Sequence, residues 1–327
     1  MINELDALRL IGERFSNSGN GVEVGIGDDA AALRTEPGKH LLVTTDCQVE
    51  DVHFIKSLIS PSGLARKSVA VSVSDIGAMG GVPRYVLASL GYTKREDDRF
   101  LEELIRGFES AEEEFGVKLV GGNLSSSERI FLDITVLGFA TPGCVVTRRG
   151  ASPGDVIYVS GTLGDSALGL MILKKDGKEG KGRRLVERHL RPEPRLTLGK
   201  ALADERLATA MIDVSDGLAL DLKRITVTHG VGANVHVERI PLSGDYRALA
   251  GEYTDDFYGP ALSGGEDYEL LFTSHPDRRD EIMKISDRLK IDITEIGNVS
   301  PEAVLTVTDS SGNEITLREG GFVHSGS

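Results

Sequence analysis

Five short segments of the chain place aspartate or glutamate among glycine, serine or threonine residues, each within or beside an apolar run. They are Gly25–Ala31, Thr44–Asp46, Ser72–Asp75, Met211–Leu218 and Ser263–Leu270. Carboxylate oxygens are preferred ligands of hard cations, and glycine lets a backbone approach a ligand closely. Each segment alone also fits a polar turn or a helix N-cap. Taken as a set, the five segments predict metal–phosphate chemistry.

Two segments combine carboxylates with a demanding local setting. Asp75 falls inside an otherwise apolar helical pattern, where a carboxylate is costly unless it is paired or bound to a metal. Bonding of a buried Asp75 to backbone or hydroxyl groups is an equally good interpretation. The segment Met211–Leu218 delivers Asp213 from an apolar strand and places Ser215 or Asp216 at the next helix start, where phosphate binding is favoured. Plain N-capping remains the alternative there.

Composition and motifs exclude several other classes. The chain has no G-x-x-x-x-G-K-[ST] phosphate loop, no G-x-S-x-G elbow and no H-E-x-x-H zinc motif. Cys47 and Cys144 are far apart in sequence, which argues against a disulfide framework and a zinc site. With 37 basic and 51 acidic residues the net charge is −14, so neither nucleic acid nor an anionic membrane is an expected partner.

The expected setting is a soluble, cytoplasmic α/β protein of 327 residues. No apolar run approaches the roughly 20 residues of a membrane span, and the first 15 residues resemble neither a signal nor a transit peptide. Alternating strand and helix patterns predict two domains, 1–145 and 146–327, with a boundary near Pro142–Gly150. A Lys- and Gly-rich segment, Lys174–Arg184, is predicted to be a mobile surface loop.

The predicted elements alternate along the chain. Helices are expected near residues 3–15, 61–80, 96–115, 194–204, 216–229 and 277–289. Strands are expected near residues 30–33, 40–45, 85–91, 117–120, 130–139, 156–160, 208–213, 233–239 and 268–273, with three short strands after the last helix. In this scheme Thr44–Asp46 lies at the exposed end of a strand.

Taken in order, the acidic segments resemble those of thiamine-monophosphate kinases. The matching stretches are Gly27–Ala31, Thr44–Phe54, Ser72–Gly80, Met211–Leu218 and Gly264–Leu270, with the ending Gly321–His324. The resemblance implies the two-domain fold of the aminoimidazole ribonucleotide synthetase superfamily. It also implies a homodimer, made by pairing of the N-terminal sheets into a barrel, and ATP in a cleft with several Mg²⁺ ions on its phosphates.

The same resemblance implies direct transfer of the γ-phosphoryl group of ATP to thiamine monophosphate, giving thiamine diphosphate and ADP. The implied metal ligands are Asp28, Asp29, Asp46, Asp75, Asn123, Asp213 and Asp216. The implied ATP contacts are Thr45, Gly122, Arg148 and Ser215, and the implied substrate contacts are His53, Glu266, Asp267 and Phe322. No residue is assigned as a general base, because the attacking phosphate oxygen is already ionised.

One position departs from the family pattern and keeps two alternatives open. The chain has Gly121-Gly122-Asn123-Leu124 where the family usually has Gly-Gly-Asp-Thr. Asparagine offers a carbonyl oxygen to Mg²⁺ but no negative charge, so we expect that site to be occupied and one ligand charge weaker. The alternatives are a superfamily relative that acts on another phosphorylated substrate, and a nucleotide-binding regulator without turnover.

Overall fold

The computed structural model describes residues 11–15, 21–24, 26, 31–178 and 180–315. The chain forms two compact units: Met1–Ile76 with Gly81–Pro142, and Gly77–Gly80 with Gly143–Ser327. Residues 11–14 are helical, whereas residues 3–10 of the predicted first helix lie outside the described residues. No helix in these described ranges is long and apolar enough to cross a membrane.

The first unit contains a four-stranded sheet and two long helices. Strands β1 (Val22–Val24) and β2 (Ala32–Leu33) form a separate antiparallel pair. The sheet consists of β3 (His40–Val49), β4 (Val82–Tyr92), β5 (Lys118–Ser126) and β6 (Phe131–Ala140), in the order β3-β6-β4-β5. Strand β6 is antiparallel to β3 and β4, and β4 is parallel to β5. The helices are α1 (Pro61–Ala78) and α2 (Asp98–Phe115).

Helix α1 is buried on nearly every side and supplies much of the core of the first unit. Leu64, Ala65 and Val73 are at most 2% exposed. The helix follows Ser60, whose hydroxyl accepts a hydrogen bond from the Gly63 N–H at 3.1 Å, as an N-capping side chain does. Asp75, on this helix, is itself only partly buried.

The second unit is built on a six-stranded sheet with the order β12-β9-β11-β7-β10-β8. Its strands are β7 (Val156–Ser160), β8 (Ala210–Asp213), β9 (Gly232–His236), β10 (Leu270–Ser274), β11 (Ile293–Ser300) and β12 (Leu305–Thr308). Its helices are α3 (Asp165–Asp176), α4 (Arg183–Leu190), α5 (Leu196–Asp204), α6 (Leu218–Ile225), α7 (Gly244–Tyr253), α8 (Gly259–Ser263) and α9 (Arg279–Leu289). The ladders are antiparallel except for the parallel pair of β12 and β9.

The mixed α/β fold predicted from the sequence is confirmed, and three local predictions are wrong. Residues 237–239, predicted as the end of a strand, form a 3-10 helix. Segment 174–184 is not one loop, because α3 continues to Asp176 and α4 begins at Arg183. The Lys- and Gly-rich composition of this segment gave no sign of helix α4, which begins within it and buries Leu185 and Val186. Strand β3 does not end at Asp46, because its antiparallel pairing with β6 continues through Val49.

Candidate active site

Strand β3 and helix α1 bring two predicted metal ligands close together in the first unit. The Thr44 hydroxyl donates to the Asp75 carboxylate at 2.5 Å. Burial raises the pKa of Asp46 to about 6, with a smaller contribution from the Asp75 charge. The Asp46 Oδ2 atom is buried and has no hydrogen-bond partner among the described residues. The Asp46 Oδ2 atom is therefore a desolvated oxygen that a bound cation would satisfy.

A row of polar side chains crosses the same sheet. In register on adjacent strands stand Cys47, Asp133, Ser89 and Asn123. The Thr45 hydroxyl, on β3, donates to Asp133 Oδ1 at 2.8 Å. The Asn123 side-chain amide nitrogen donates to the Ser125 hydroxyl at 2.9 Å, so the carbonyl oxygen of Asn123 is not used in this bond.

Gly122 and His53 are held by their backbone surroundings. A Cβ atom on Gly122 would lie 1.9 Å from the Ala88 carbonyl oxygen, so the close approach of β4 and β5 requires glycine. His53 Nδ1 accepts from the Val49 N–H at 3.1 Å, and the His53 N–H donates to the Val49 carbonyl at 2.9 Å. These bonds assign the proton of the neutral imidazole to Nε2.

Two acid-bearing segments of the second unit lie side by side. The Val214 N–H donates to the Glu269 carbonyl at 2.8 Å, and the Tyr268 N–H donates to the Val214 carbonyl at 2.9 Å. The Glu266 N–H donates to the Ser215 carbonyl at 2.8 Å. Glu266 and Tyr268 adopt positive φ angles of 68° and 52°, a conformation that non-glycine residues adopt at some cost. The turn is therefore held in shape by its pairing with Val214 and Ser215.

The start of α6 is organised by a buried carboxylate. Asp221 is 0% exposed, and its Oδ2 atom accepts the Ser215 and Asp216 N–H groups, each at 3.0 Å. Arg224 donates to Asp221 Oδ1 at 2.6 Å and contacts Asp216 Oδ2 at 2.6 Å. Burial raises the pKa of Asp221 to about 6, although the backbone bonds and the Arg224 charge oppose the shift. Asp213, at the end of β8, is 2% exposed.

Asp267 is buried within the second unit, and its carboxylate is bonded to backbone N–H groups of the same unit. It is 2% exposed and accepts the Gly164 N–H at 2.6 Å and the Ser166 N–H at 3.1 Å, at the N-terminus of α3. Burial raises the pKa of Asp267 to about 7 despite these bonds. Glu266, the preceding residue, places Oε2 3.2 Å from His189 Nδ1 and keeps about a quarter of its side chain exposed. Of the two, Glu266 is the side chain that a ligand can reach.

Glu269 is a fully buried carboxylate that sequence reasoning did not select. It accepts two bonds from Arg195 at 2.6 Å, one from Arg188 at 2.7 Å and one from the Ser160 hydroxyl at 2.6 Å. Burial alone would raise the pKa of Glu269, but the bonds and charges of the two arginines hold it below its usual value. The charge of Glu269 is thus neutralised by two arginines of the protein, Arg188 and Arg195.

The remaining predicted residues are exposed or outside the described chain. Arg148 is exposed, next to Thr147, whose carbonyl accepts the Met211 N–H of β8 at 3.1 Å. Asp28, Asp29 and Phe322 lie outside the described residues. Sequence reasoning also missed Asp133, Asp221 and Arg224. The i,i+3 spacing of an acid and an arginine on one predicted helix was the available signal for the last two.

The donor set suits magnesium without forming a closed metal cage. Among the described residues, no three His, Cys, Asp or Glu side chains are grouped as a metal site. Magnesium usually binds through one or two carboxylates together with waters and substrate phosphates. Asp46, with its buried Oδ2 atom, and Asp75 provide hard oxygen ligands of that kind. The residues therefore fit Mg²⁺ that arrives with a phosphorylated ligand.

Comparison with known proteins identifies the family. Residues 27–140 match the AIR synthase related protein N-terminal domain, and residues 152–310 match the corresponding C-terminal domain. A thiamine-monophosphate kinase from Aquifex aeolicus is 38% identical over 276 residues, covering 84% of this chain and 86% of that protein.

Solved structures give the same result. A crystal structure of thiamine-monophosphate kinase from Stenotrophomonas maltophilia has a TM-score of 0.84 at 33% identity, covering 94% of this chain and 97% of that one. The structure of AaThiL complexed with AMPPCP and TMP has a TM-score of 0.76 at 32% identity, covering 98% and 97% of the two chains. The chain therefore belongs to the thiamine-monophosphate kinase family.

Proposed function

We propose that the protein transfers the γ-phosphoryl group of ATP to the phosphate of thiamine monophosphate, giving thiamine diphosphate and ADP. The observation that carries the proposal is the similarity to thiamine-monophosphate kinases, which extends over both units at 38% identity in one relative. The buried Asp46 Oδ2 atom, which has no hydrogen-bond partner in the described part of the chain, supports it from the structure, since a cation with phosphate would satisfy that atom.

The reaction needs positioning and charge neutralisation more than a protein nucleophile. An ionised oxygen of the thiamine monophosphate phosphate forms a bond to the γ-phosphorus, the bond from that phosphorus to the bridging oxygen breaks, and ADP leaves with the electron pair. Both reactants are anions, so the site must offset their repulsion. The exposed guanidinium of Arg148 suits contact with the ATP phosphates.

The proposed metal ligands supply hard oxygen atoms. We assign Asp46, Asp75 and the carbonyl oxygen of Asn123 to Mg²⁺ in the first unit, and Asp213 and Asp216 in the second. Asp28 and Asp29 belong to the same assignment by their sequence motif. Bound Mg²⁺ would neutralise phosphate charge and orient the phosphate groups. The Thr44 hydroxyl holds the Asp75 carboxylate at 2.5 Å, which fixes its direction before any ligand arrives.

The remaining assignments concern the ligands and the assembly. Thr45, Gly122 and Ser215 are proposed to contact ATP. His53, Glu266, Asp267 and Phe322 are proposed for thiamine monophosphate, and the buried position of Asp267 favours an indirect role through the turn that carries Glu266. We further propose domains 1–145, for ATP, Mg²⁺ and dimerisation, and 146–327. A homodimer in the cytoplasm, independent of nucleic acid, completes the proposal.

The decisive experiment is a product assay. The protein is incubated with ATP, Mg²⁺ and thiamine monophosphate, and thiamine diphosphate and ADP are separated and quantified. Equal amounts of the two products support the kinase, with Asp75→Asn as the inactive control. ATP binding without product would overturn the proposal in favour of a regulator, the alternative that Asn123 raises. Transfer to a different phosphorylated acceptor would favour a diverged relative.

A further inference from the structure

Arg224 occupies one of the carboxylates that the proposed function assigns to a metal. Its Nη2 atom lies 2.6 Å from Asp216 Oδ2, and its Nη1 atom lies 2.6 Å from Asp221 Oδ1. Both distances are those of close, charge-assisted hydrogen bonds. The guanidinium therefore bridges two carboxylates that differ in exposure, since Asp216 is part-exposed and Asp221 is buried.

The buried partner fixes the arginine in place. Asp221 is 0% exposed and receives two backbone N–H groups, from Ser215 and Asp216, so its carboxylate cannot turn away. Arg224 follows Asp221 by three residues on α6, which places both side chains on one face of the helix. Asp221 thus anchors the guanidinium within reach of Asp216.

We propose that Arg224 is a tethered counterion of Asp216 that lowers the affinity of this carboxylate for divalent cations. The inference rests on the metal role that the proposed function gives to Asp216. Guanidinium and metal compete for the same Oδ2 atom, and a cation bound to Asp216 is repelled by a guanidinium that stays on Asp221. In the metal-free protein Arg224 keeps Asp216 neutralised and oriented, and divalent cations bind only when their own charge outweighs that pairing.

The size of the effect follows from the exposure of the pair. The side chains of Arg224 and Asp216 are 33% and 25% exposed, so solvent screens part of their attraction. Ion pairs with this degree of exposure correspond to about a 2- to 5-fold change in an equilibrium constant. Removing the arginine charge should therefore tighten divalent-cation binding at Asp216 by about that factor.

The test is a Mn²⁺ titration of the full-length, metal-stripped protein, with free Mn²⁺ read by electron paramagnetic resonance. No nucleotide or thiamine monophosphate is present, so the result does not depend on kinase activity. The variants are Arg224→Gln, Asp216→Asn and the double variant. Lys223→Gln is the matched control, because it removes the same charge from the adjacent, exposed position of α6.

Arg224→Gln should tighten Mn²⁺ binding about 2- to 5-fold, and this gain should vanish when Asp216 is already Asn. Lys223→Gln should change the affinity by less than about twofold. Unchanged or weaker binding in Arg224→Gln would overturn the inference. If Asp216→Asn leaves Mn²⁺ binding unchanged, the proposed metal role of Asp216 is wrong. That result is distinguishable from a failure of the Arg224 inference alone, in which Asp216→Asn weakens Mn²⁺ binding but Arg224→Gln does not tighten it.

A loss of folding in Arg224→Gln is the expected complication, because Asp221 would remain buried without its arginine. Arg224→Lys covers this case, since its single nitrogen can remain on Asp221 with no second nitrogen placed on Asp216. Direct competition for Asp216 Oδ2 is then removed and only the longer-range repulsion remains. The lysine variant should fold, as judged by circular dichroism, and bind Mn²⁺ more tightly than the wild type. Binding equal to the wild type in a folded Arg224→Lys protein would refute the tether.

Discussion

Asp46→Asn should stabilise the metal-free protein while it removes activity. Burial, followed by the Asp75 charge, raises the pKa of Asp46 from 3.8 to about 6. A pKa difference of one unit corresponds to about 1.4 kcal/mol, so the folded state disfavours the Asp46 charge by about 3 kcal/mol. Asparagine has nearly the same shape without that charge, so it should remove the penalty.

The sign of the pH dependence follows from the direction of the shift. The folded state binds a proton at Asp46 more tightly than the unfolded state, so the free energy of unfolding falls as pH rises from 3.8 to about 6. Above about pH 6 the penalty is complete. In EDTA at pH 8, the free energy of unfolding of Asp46→Asn should therefore exceed that of the wild type by up to about 3 kcal/mol. Near pH 4 the two proteins should have similar free energies of unfolding.

The measurement is urea unfolding at both pH values, with Asp133→Asn as the control. Asp133 is one strand away on β6, where its carboxylate accepts from Thr45 in an exposed position. Its replacement should change the free energy of unfolding by less than about 1 kcal/mol. With ATP, Mg²⁺ and thiamine monophosphate, Asp46→Asn should lose about 100-fold or more of the turnover. A metal-free Asp46→Asn protein that is less stable than the wild type at pH 8 would refute the reasoning.

Three further perturbations test other carboxylates and one amide. Glu269→Gln should cost about 3–5 kcal/mol in urea unfolding, because Arg188 and Arg195 would lose their buried counterion; a loss below about 1 kcal/mol would contradict that role. Asn123→Asp should tighten Mg²⁺ binding in calorimetry by adding one ligand charge, and equal affinity would count against Asn123 as a ligand. Because burial raises the pKa of Asp267 to about 7, the free energy of unfolding should fall as pH rises from 3.8 towards 7. Asp267→Asn should flatten that slope, and an unchanged slope would show that other groups cause it.

The sequence predicted what local periodicity can carry. The placement of Asp75 on an apolar helix, the delivery of Asp213 by a strand and the α/β alternation all depend on neighbours within a few residues. Strand β3 was predicted too short because the polar stretch Thr44–Asp46 follows its apolar run, whereas the ladder with β6 continues through Val49. Such pairing depends on a distant strand, since Val49 pairs with Phe131, 82 positions later (131 − 49 = 82), and single-sequence patterns do not encode it.

The residues that the sequence did not identify as important, such as Glu269 and Asp133, were missed because their partners lie far away in the chain. Glu269 owes its character to arginines 74 and 81 positions earlier in the chain, and Asp133 meets Thr45 across 88 positions. A carboxylate in a Gly-rich turn looks the same whether a cation of the fold or a ligand later satisfies it. The sequence therefore identified the acidic turns but could not separate structural acids from candidate metal ligands.

The structure supplies a criterion for that separation in the way each buried carboxylate is satisfied. Glu269 has two arginines and a hydroxyl, so its charge is complete within the fold and its pKa is lowered. The Asp46 Oδ2 atom has no hydrogen-bond partner among the described residues, and its pKa is raised. A carboxylate of the first kind contributes to stability whether or not ligand is present. One of the second kind reduces stability until a cation arrives, so added Mg²⁺ should act through Asp46 and not through Glu269. Asp216 stands between the two, since its cation, Arg224, is part-exposed and replaceable.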